Sequence, residues 1–434
     1  MFKIILTLLI LIKISFSQKI YTLDQFIDIA MENNVNIRIE QMRVSAALAD
    51  KKGSLSVILP RISASTGSAF QGAYNQGVLG QVLNSTGLSF NESEYHSGSL
   101  SINQNIFDGG NWWNQIALSK NSYDLALESE QSVIVNSVLS VKRAFYEHLK
   151  NIELLEVFRR QVELSEQQVE RVRQQFELEA VAKSDLLKQQ VVLGDAKVQF
   201  LRQEAVLNNS SRSLANIVGI DIESSFDIEK PIVDKLVESE ILDSQEYWDV
   251  IERNNPSLVA KRMLVASREI QLKIQRATYF PTLSMSVGYS GSSDKFEEVF
   301  SDIDKEWQRS INFSISYPLF TGFQRSTQFQ RAKIQLDIER EELNQLTRNL
   351  KIQYENTFRL WKNINVSIPI FEDTKTSAEE DLKLARERYT LGAATILDLL
   401  NAQLSVAQAN SSHVRAIYDE RILKAELDAL IGNR

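Results

Sequence analysis

The side chains able to do chemistry are few and scattered. The three histidines, His96, His148 and His413, share no ligand spacing. There is no cysteine, which removes disulfides and thiolate metal sites. Serines, histidines and aspartates are all present, but no catalytic motif gathers them. The sequence therefore asks for no cofactor and no metal, and the chain does not read as an enzyme. What remains is placed charge. In Thr395-x-x-Asp398 an acid stands three residues after a hydroxyl, a spacing that caps a helix N-terminus and suits the helix dipole. The formal net charge of −8 weighs against nucleic acid, which needs a basic footprint.

The elements that hold these residues come in duplicate. Phe26-Ile-Asp-Ile-Ala-Met-Glu-Asn-Asn34 returns as Tyr247-Trp-Asp-Val-Ile-Glu-Arg-Asn-Asn255, and Pro60 matches Pro281 at the same offset. At a shorter offset Phe107-Asp-Gly109 matches Phe320-Thr-Gly322, Asp185-Leu-Leu187 matches Asp398-Leu-Leu400, and Gly219 matches Gly432. One structural unit is thus built twice. The expected plan is a first repeat over 18–220, a linker or equatorial segment over 221–245, and a second repeat over 246–434. Residues 1–17 read as a signal peptide. Lys3 precedes the apolar run Ile4–Ile12, and Ser15-Phe16-Ser17 offers a small-x-small cleavage site.

Within the first repeat, apolar residues at helical period run from Thr22 to about Leu55, before Pro60. No Gly or Pro interrupts Asn111–Leu193. A helix from Asn111 to about Glu179 would be about 100 Å long at 1.5 Å per residue. A second, about Ser184–Val218, returns toward Gly219. The second repeat offers Gln245–Ala277, Gln324–Leu391 with a kink expected at Pro369, and Thr395–Ile431. Helices this long need partners along their apolar stripes, as in a coiled coil.

Between the first two helices of each repeat the period changes from helical to alternating. Leu283, Met285, Val287 and Tyr289 alternate with small polar residues, and so do Ile311, Phe313, Ile315 and Tyr317. Ile62–Thr66 and Leu100–Ile106 are weaker versions. Strands are expected at about 61–72, 98–107, 281–291 and 309–319. One apolar and one small-polar face suits a strand of an outer-membrane barrel, or a half-buried strand of a soluble sheet. Four strands close no useful barrel, and lipid tolerates no open edge, so a barrel requires several copies.

Tyr317-Pro-Leu-Phe-Thr-Gly322, its counterpart Asn105-Ile-Phe-Asp-Gly109, and Arg388-Tyr-Thr-Leu-Gly-Ala-Ala-Thr-Ile-Leu-Asp-Leu-Leu-Asn-Ala402 resemble motifs of the TolC-like outer membrane efflux protein family. With the duplicated order of helix, two strands, long helix and helix, the resemblance spans nearly the whole chain. It implies a mainly α fold with a membrane β-barrel: a homotrimer whose twelve strands close a barrel in the cell outer membrane above a long periplasmic α-helical coiled-coil tunnel. It implies an exit duct for a tripartite efflux pump or type I secretion system. The expected partners are a periplasmic adaptor, an inner-membrane pump of the RND or ABC type, and outer-membrane lipid. The alternative is a periplasmic coiled-coil interaction protein with no barrel.

The resemblance also assigns residues. Asp398 matches a gate acid, which on a threefold axis would form a carboxylate ring, while Asn401 stands where a second acid often lies. Tyr389 and Asp185 match positions that latch neighbouring hairpins. An arginine expected after the tip glycine is replaced by Ala394, leaving Lys183 or Arg388 as substitutes. Leu178, Glu179 and Ala180 with Leu391, Gly392 and Ala393 would be the adaptor-docking tips, and Glu179 in place of a glycine suggests a different turn or different docking at the first tip. Phe107, Gly109, Pro318, Phe320 and Gly322 would mark the barrel–tunnel junction, where Trp112, Trp113 and Phe323 extend an aromatic cluster.

Overall fold

The computed structural model of the chain describes residues 19–71, 93–221, 226–230, 244–301 and 307–433. The expected signal peptide and most of the first repeat's strand-to-strand loop lie outside these residues, whereas the second repeat's loop is described except for residues 302–306. In chain order the elements are β1 (Lys19–Tyr21), α1 (Leu23–Asn33), α2 (Val35–Gly53), β2 (Arg61–Gln71), β3 (Ser93–Phe107), α3 (Asn111–Glu177), α4 (Lys183–Val218), β4 (Phe226–Ile228), α5 (Ser244–Asn254), α6 (Pro256–Ala277), β5 (Thr282–Ser293), α7 (Phe296–Ser301), β6 (Gln308–Ser316), α8 (Gln324–Thr390) and α9 (Ile396–Ile431). A short 3₁₀ turn, Ser54–Ile58, precedes Pro60.

The expected first helix of each repeat is in fact two helices. The break falls at Asn34 and at Asn255, equivalent positions in the duplication. The Asn34 carboxamide oxygen accepts from Asn36 N at 2.8 Å, and Asn255 accepts from Leu258 N at 3.2 Å. Each asparagine thus ends one helix and caps the next. Pro256 at the first position of α6 needs no donor there. Pro369 lies inside the continuous α8.

Contacts divide the described chain into two compact units, and each draws on both repeats. One takes residues up to Gln41 with Ser129–Val259 and Leu346–Arg434; the other takes Met42–Glu128 and Ala260–Gln345. The first unit is helical. Phe26 and Ala30 of α1, Val141, Phe145 and Leu149 of α3, and Leu214 and Val218 of α4 form one core. Trp248 and Ile251 of α5, Tyr354 of α8, and Leu427 and Leu430 of α9 form its counterpart. Gly219 and Gly432 end α4 and α9 at positive φ. A Cβ on Gly219 would lie 3.0 Å from Asn33, and one on Gly432 3.1 Å from Asn254 O, so the returning helix of each repeat abuts the end of its first helix. The interrepeat segment, expected as a linker, supplies β4, which pairs in parallel with β1.

The second unit holds one four-stranded antiparallel sheet in the order β2-β3-β5-β6. β3 begins earlier than expected, at Ser93, and carries an irregularity between Asn105 and Phe107. β6 stops at Ser316, short of Pro318, which has no N–H for the ladder. The register pairs Leu283 with Ile315, Met285 with Phe313 and Val287 with Ile311, so the apolar residues share a face. Among the described residues no helix is long and apolar enough to cross a membrane.

Candidate functional site

The two tips are built alike. After α3, Ala180 N donates to Gln175 O at 2.8 Å and Glu179 N to Phe176 O at 3.0 Å. After α8, Ala393 N donates to Arg388 O at 2.8 Å and Gly392 N to Tyr389 O at 3.1 Å. This crossed pair of bonds satisfies carbonyls that a helix end would leave unpaired, and it needs a left-handed residue. Gly392 supplies it at φ +72, and Glu179 adopts it at φ +56. The expectation that Glu179 would change the turn is therefore overturned: backbone bonding holds a glutamate in the glycine conformation. Leu178 and Leu391 project into solvent at 80% and 82% exposure.

Below the turns the hairpins share a core of Val172, Leu382, Ile396, Leu399, Ala402 and Val406, with Val181, Leu186 and Tyr389 at its margin. Tyr389 and Asp185 come from different hairpins and meet electrostatically. Burial raises the Tyr389 phenol above its ordinary pKa, and the Asp185 charge raises it further. The Tyr389 hydroxyl is buried and makes no hydrogen bond within the protein. The same holds for the side-chain amides of Gln189 and Gln403, each buried to within a few per cent. Buried amides without partners cost about 1–3 kcal/mol each, so this stretch is held less tightly than an apolar core.

Asp398 stands apart from that pair. Its carboxylate accepts from Thr395 N at 2.8 Å and from Thr395 Oγ1 at 2.7 Å, while Asp398 N donates to Thr395 Oγ1 at 3.3 Å. These bonds form a capping box at the start of α9. They hold the carboxyl below its usual range, and the charge of Arg388 adds to the effect. Asp398 and Asn401 lie on the exposed side of α9, one turn apart, while Leu399 and Ala402 turn inward. The cap and an outward charge are thus properties of the same carboxylate.

Both strand-to-helix junctions use two consecutive left-handed residues: Gly109 and Gly110, then Gly322 and Phe323. At Gly109 a Cβ would lie 2.5 Å from Ala277 O, so glycine is required by space as well as by φ. Asp108 accepts from Trp112 N at 3.0 Å and caps α3. The aromatic cluster resolves into two ring pairs, Trp112–Trp113 at 5.5 Å and Phe320–Phe323 at 5.8 Å. Trp113, Phe320 and Phe323 are largely exposed, and so is Leu319, while Phe107 is closer to half-exposed. Sequence reasoning missed Arg325. Its guanidinium donates to Pro318 O and Thr278 O and stacks over Tyr279 at 5.3 Å, tying the second junction together. A lone arginine at a helix start carries no signal of these partners.

Comparison with known proteins agrees with this geometry. The family described as Outer membrane efflux protein matches residues 26–220 and 249–433, one segment per repeat. Outer membrane protein TolC of Vibrio cholerae is 22% identical over 410 residues, covering 93% of this chain and 89% of that protein. Protein CyaE of Bordetella pertussis is 22% identical over 389 residues, covering 89% and 79%. The solved structure of the outer membrane protein VceC from Vibrio cholerae superposes with a TM-score of 0.84 at 16% identity, over 95% of this chain and 96% of that one.

Proposed function

Because this chain belongs to the outer membrane efflux protein family and so to the cell outer membrane, we propose that it forms the trimeric exit duct of a tripartite efflux pump or type I secretion system. The observation that carries this reading is the open sheet. Strand directions alternate along β2-β3-β5-β6, so β2 and β6 run opposite ways at the two free edges. The β6 edge of one copy can therefore pair antiparallel with the β2 edge of the next. Three copies would give twelve strands, an even number with no edge left for lipid. The apolar face of Met285, Val287, Ile311, Phe313 and Ile315 would then meet the hydrocarbon.

The duct is passive, and its control lies at the helical tips. Asp398, projecting outward from α9, would form a ring of three carboxylates around the axis, attracting cations and repelling itself. Asn401 adds a neutral ring one turn on. Tyr389 and Asp185, on different hairpins and within electrostatic reach of one another, are the pair whose separation would accompany widening of the mouth. The exposed Leu178 and Leu391 turns, with Ala180 and Ala393, are the surface offered to a periplasmic adaptor, which an inner-membrane pump of the RND or ABC type would join. The first test is the mass of protein extracted by detergent from the outer-membrane fraction. A particle of three chains supports the duct. A soluble periplasmic monomer or dimer would sink it and leave a coiled-coil scaffold.

A further inference from the structure

After β5, helix α7 packs back against the sheet. The helix buries Val299, and Trp307 Nε1 donates to Val299 O at 2.8 Å. Two glycines make the seat. Gly98 and Gly291 are register partners. A Cβ on Gly98 would lie 3.1 Å from Val299, Phe300 and Trp307, and one on Gly291 would lie 2.4 Å from the Trp307 ring.

The face matters. Gly98 and Gly291 share a side with Leu100, Ile102, Val287 and Tyr289, the apolar side. A loop arranged to cover the pore would lie instead on the side of Ser97, Ser99, Ser290 and Ser292. The helix also rests on the two central strands, so β2 and β6 stay clear for neighbouring copies.

An unbroken path of rings joins α7 to the sheet face. Phe296 meets Phe300 at 5.9 Å, Phe300 meets Trp307 at 6.3 Å, and Trp307 meets Tyr289 at 4.9 Å. Phe296 and Phe300 are four residues apart, hence on one flank, and remain 49% and 44% exposed. Beside them Asp294, Lys295, Glu297 and Glu298 are exposed, with Lys295 paired to Glu298 at 2.8 Å. Four charges exclude the hydrocarbon centre, and a half-exposed aromatic ridge continuous with a lipid-facing wall is poorly placed in water. The mixture matches the headgroup–acyl boundary.

We propose that α7 and Trp307 form an interfacial anchor that binds the headgroup–acyl boundary of the leaflet at the loop end of the barrel. The inference rests on the barrel reading for which face meets lipid, and the experiment separates the two. The chain has no cysteine, so Phe296→Cys, Phe300→Cys and Phe313→Cys each give one site for a bimane label. Each labelled full-length protein is reconstituted in phosphatidylethanolamine–phosphatidylglycerol vesicles. It is then quenched either with lipid bearing a nitroxide near the acyl carbonyl or with aqueous iodide. The expected result is loss of most emission to the nitroxide lipid at 296 and 300, with little loss to iodide, while 313 also reports lipid. Using both 296 and 300 guards against one substitution unseating the helix. Lipid at 313 with iodide quenching at both 296 and 300 overturns the anchor and leaves the barrel reading standing. Iodide quenching at all three positions overturns both.

Discussion

Glu179 sits at φ +56 where the second tip has Gly392 at φ +72. An L-residue there costs about 1–2 kcal/mol, partly offset by glycine's greater freedom when unfolded. Glu179→Gly should therefore raise stability by up to about 1 kcal/mol, and Gly392→Ala should lower it by a similar amount, read from thermal melts. At the cap of α9, Thr395→Ala removes the hydroxyl that donates to the Asp398 carboxylate and accepts from Asp398 N, and should cost about 1 kcal/mol of helix stability. A carboxyl held below its ordinary pKa stabilises the fold above the unfolded pKa and loses that contribution as pH falls through the folded value. Without the Thr395 hydroxyl the Asp398 pKa rises, so cation selectivity in planar bilayers should fail at a higher pH in Thr395→Ala than in the parent. His148 runs on the same linkage with a different group. Burial lowers its pKa from 6.5 to about 4, with Nδ1 within 2.8 Å of Ser210 Oγ. Below 6.5 the unfolded chain takes a proton that the folded chain refuses until about 4. Stability should then fall across that window by up to about 1.4 kcal/mol per pH unit, and His148→Gln should flatten the melting curve's pH dependence. The capping box was legible in Thr395-x-x-Asp398 because its partners are three residues apart. The burial of His148 was not, because Ser210 lies on another helix.

At the scale of elements, the strands were readable because apolar and small residues alternate, and the register places those apolar residues on one face as expected. A charge on that face should be costly in lipid. Phe313 is 67% exposed there, and Phe313→Lys should cost about 2–4 kcal/mol near the bilayer midplane, seen as a reduced fraction of protein in the outer membrane. Long helices were readable from the absence of Gly and Pro, with ends within a few residues of the observed ones. The break at Asn34 and Asn255 was missed, although Asn255-Pro256 is a cap followed by a favoured first position. The continuous apolar period on either side hid it. α7 was missed for a different reason: six residues carry no period, and what fixes them is Gly98 and Gly291, distant in sequence and visible only once the register is known.

For the whole molecule, the duplication foretold the repeated cores, the repeated tips and the repeated junctions. The acidic balance of −8 should appear as cation preference in reversal-potential measurements on reconstituted channels, and anion preference would count against Asp398 lining the path. The compact units, however, do not follow the repeats. The sheet unit is complete in sequence by Gln345, whereas the helical unit begins before Gln41 and ends with α9. Phe26, near the start, packs in a core that Tyr418 of α9 also touches. During export the residues that cross first must therefore wait for those that cross last. Meanwhile the strands bearing free edges are already out, with no neighbour to pair with. Pairings this distant form slowly, and exposed edges in the interval invite aggregation. A chain cut before α9 would therefore carry a complete set of strands beside a helical core that has not closed.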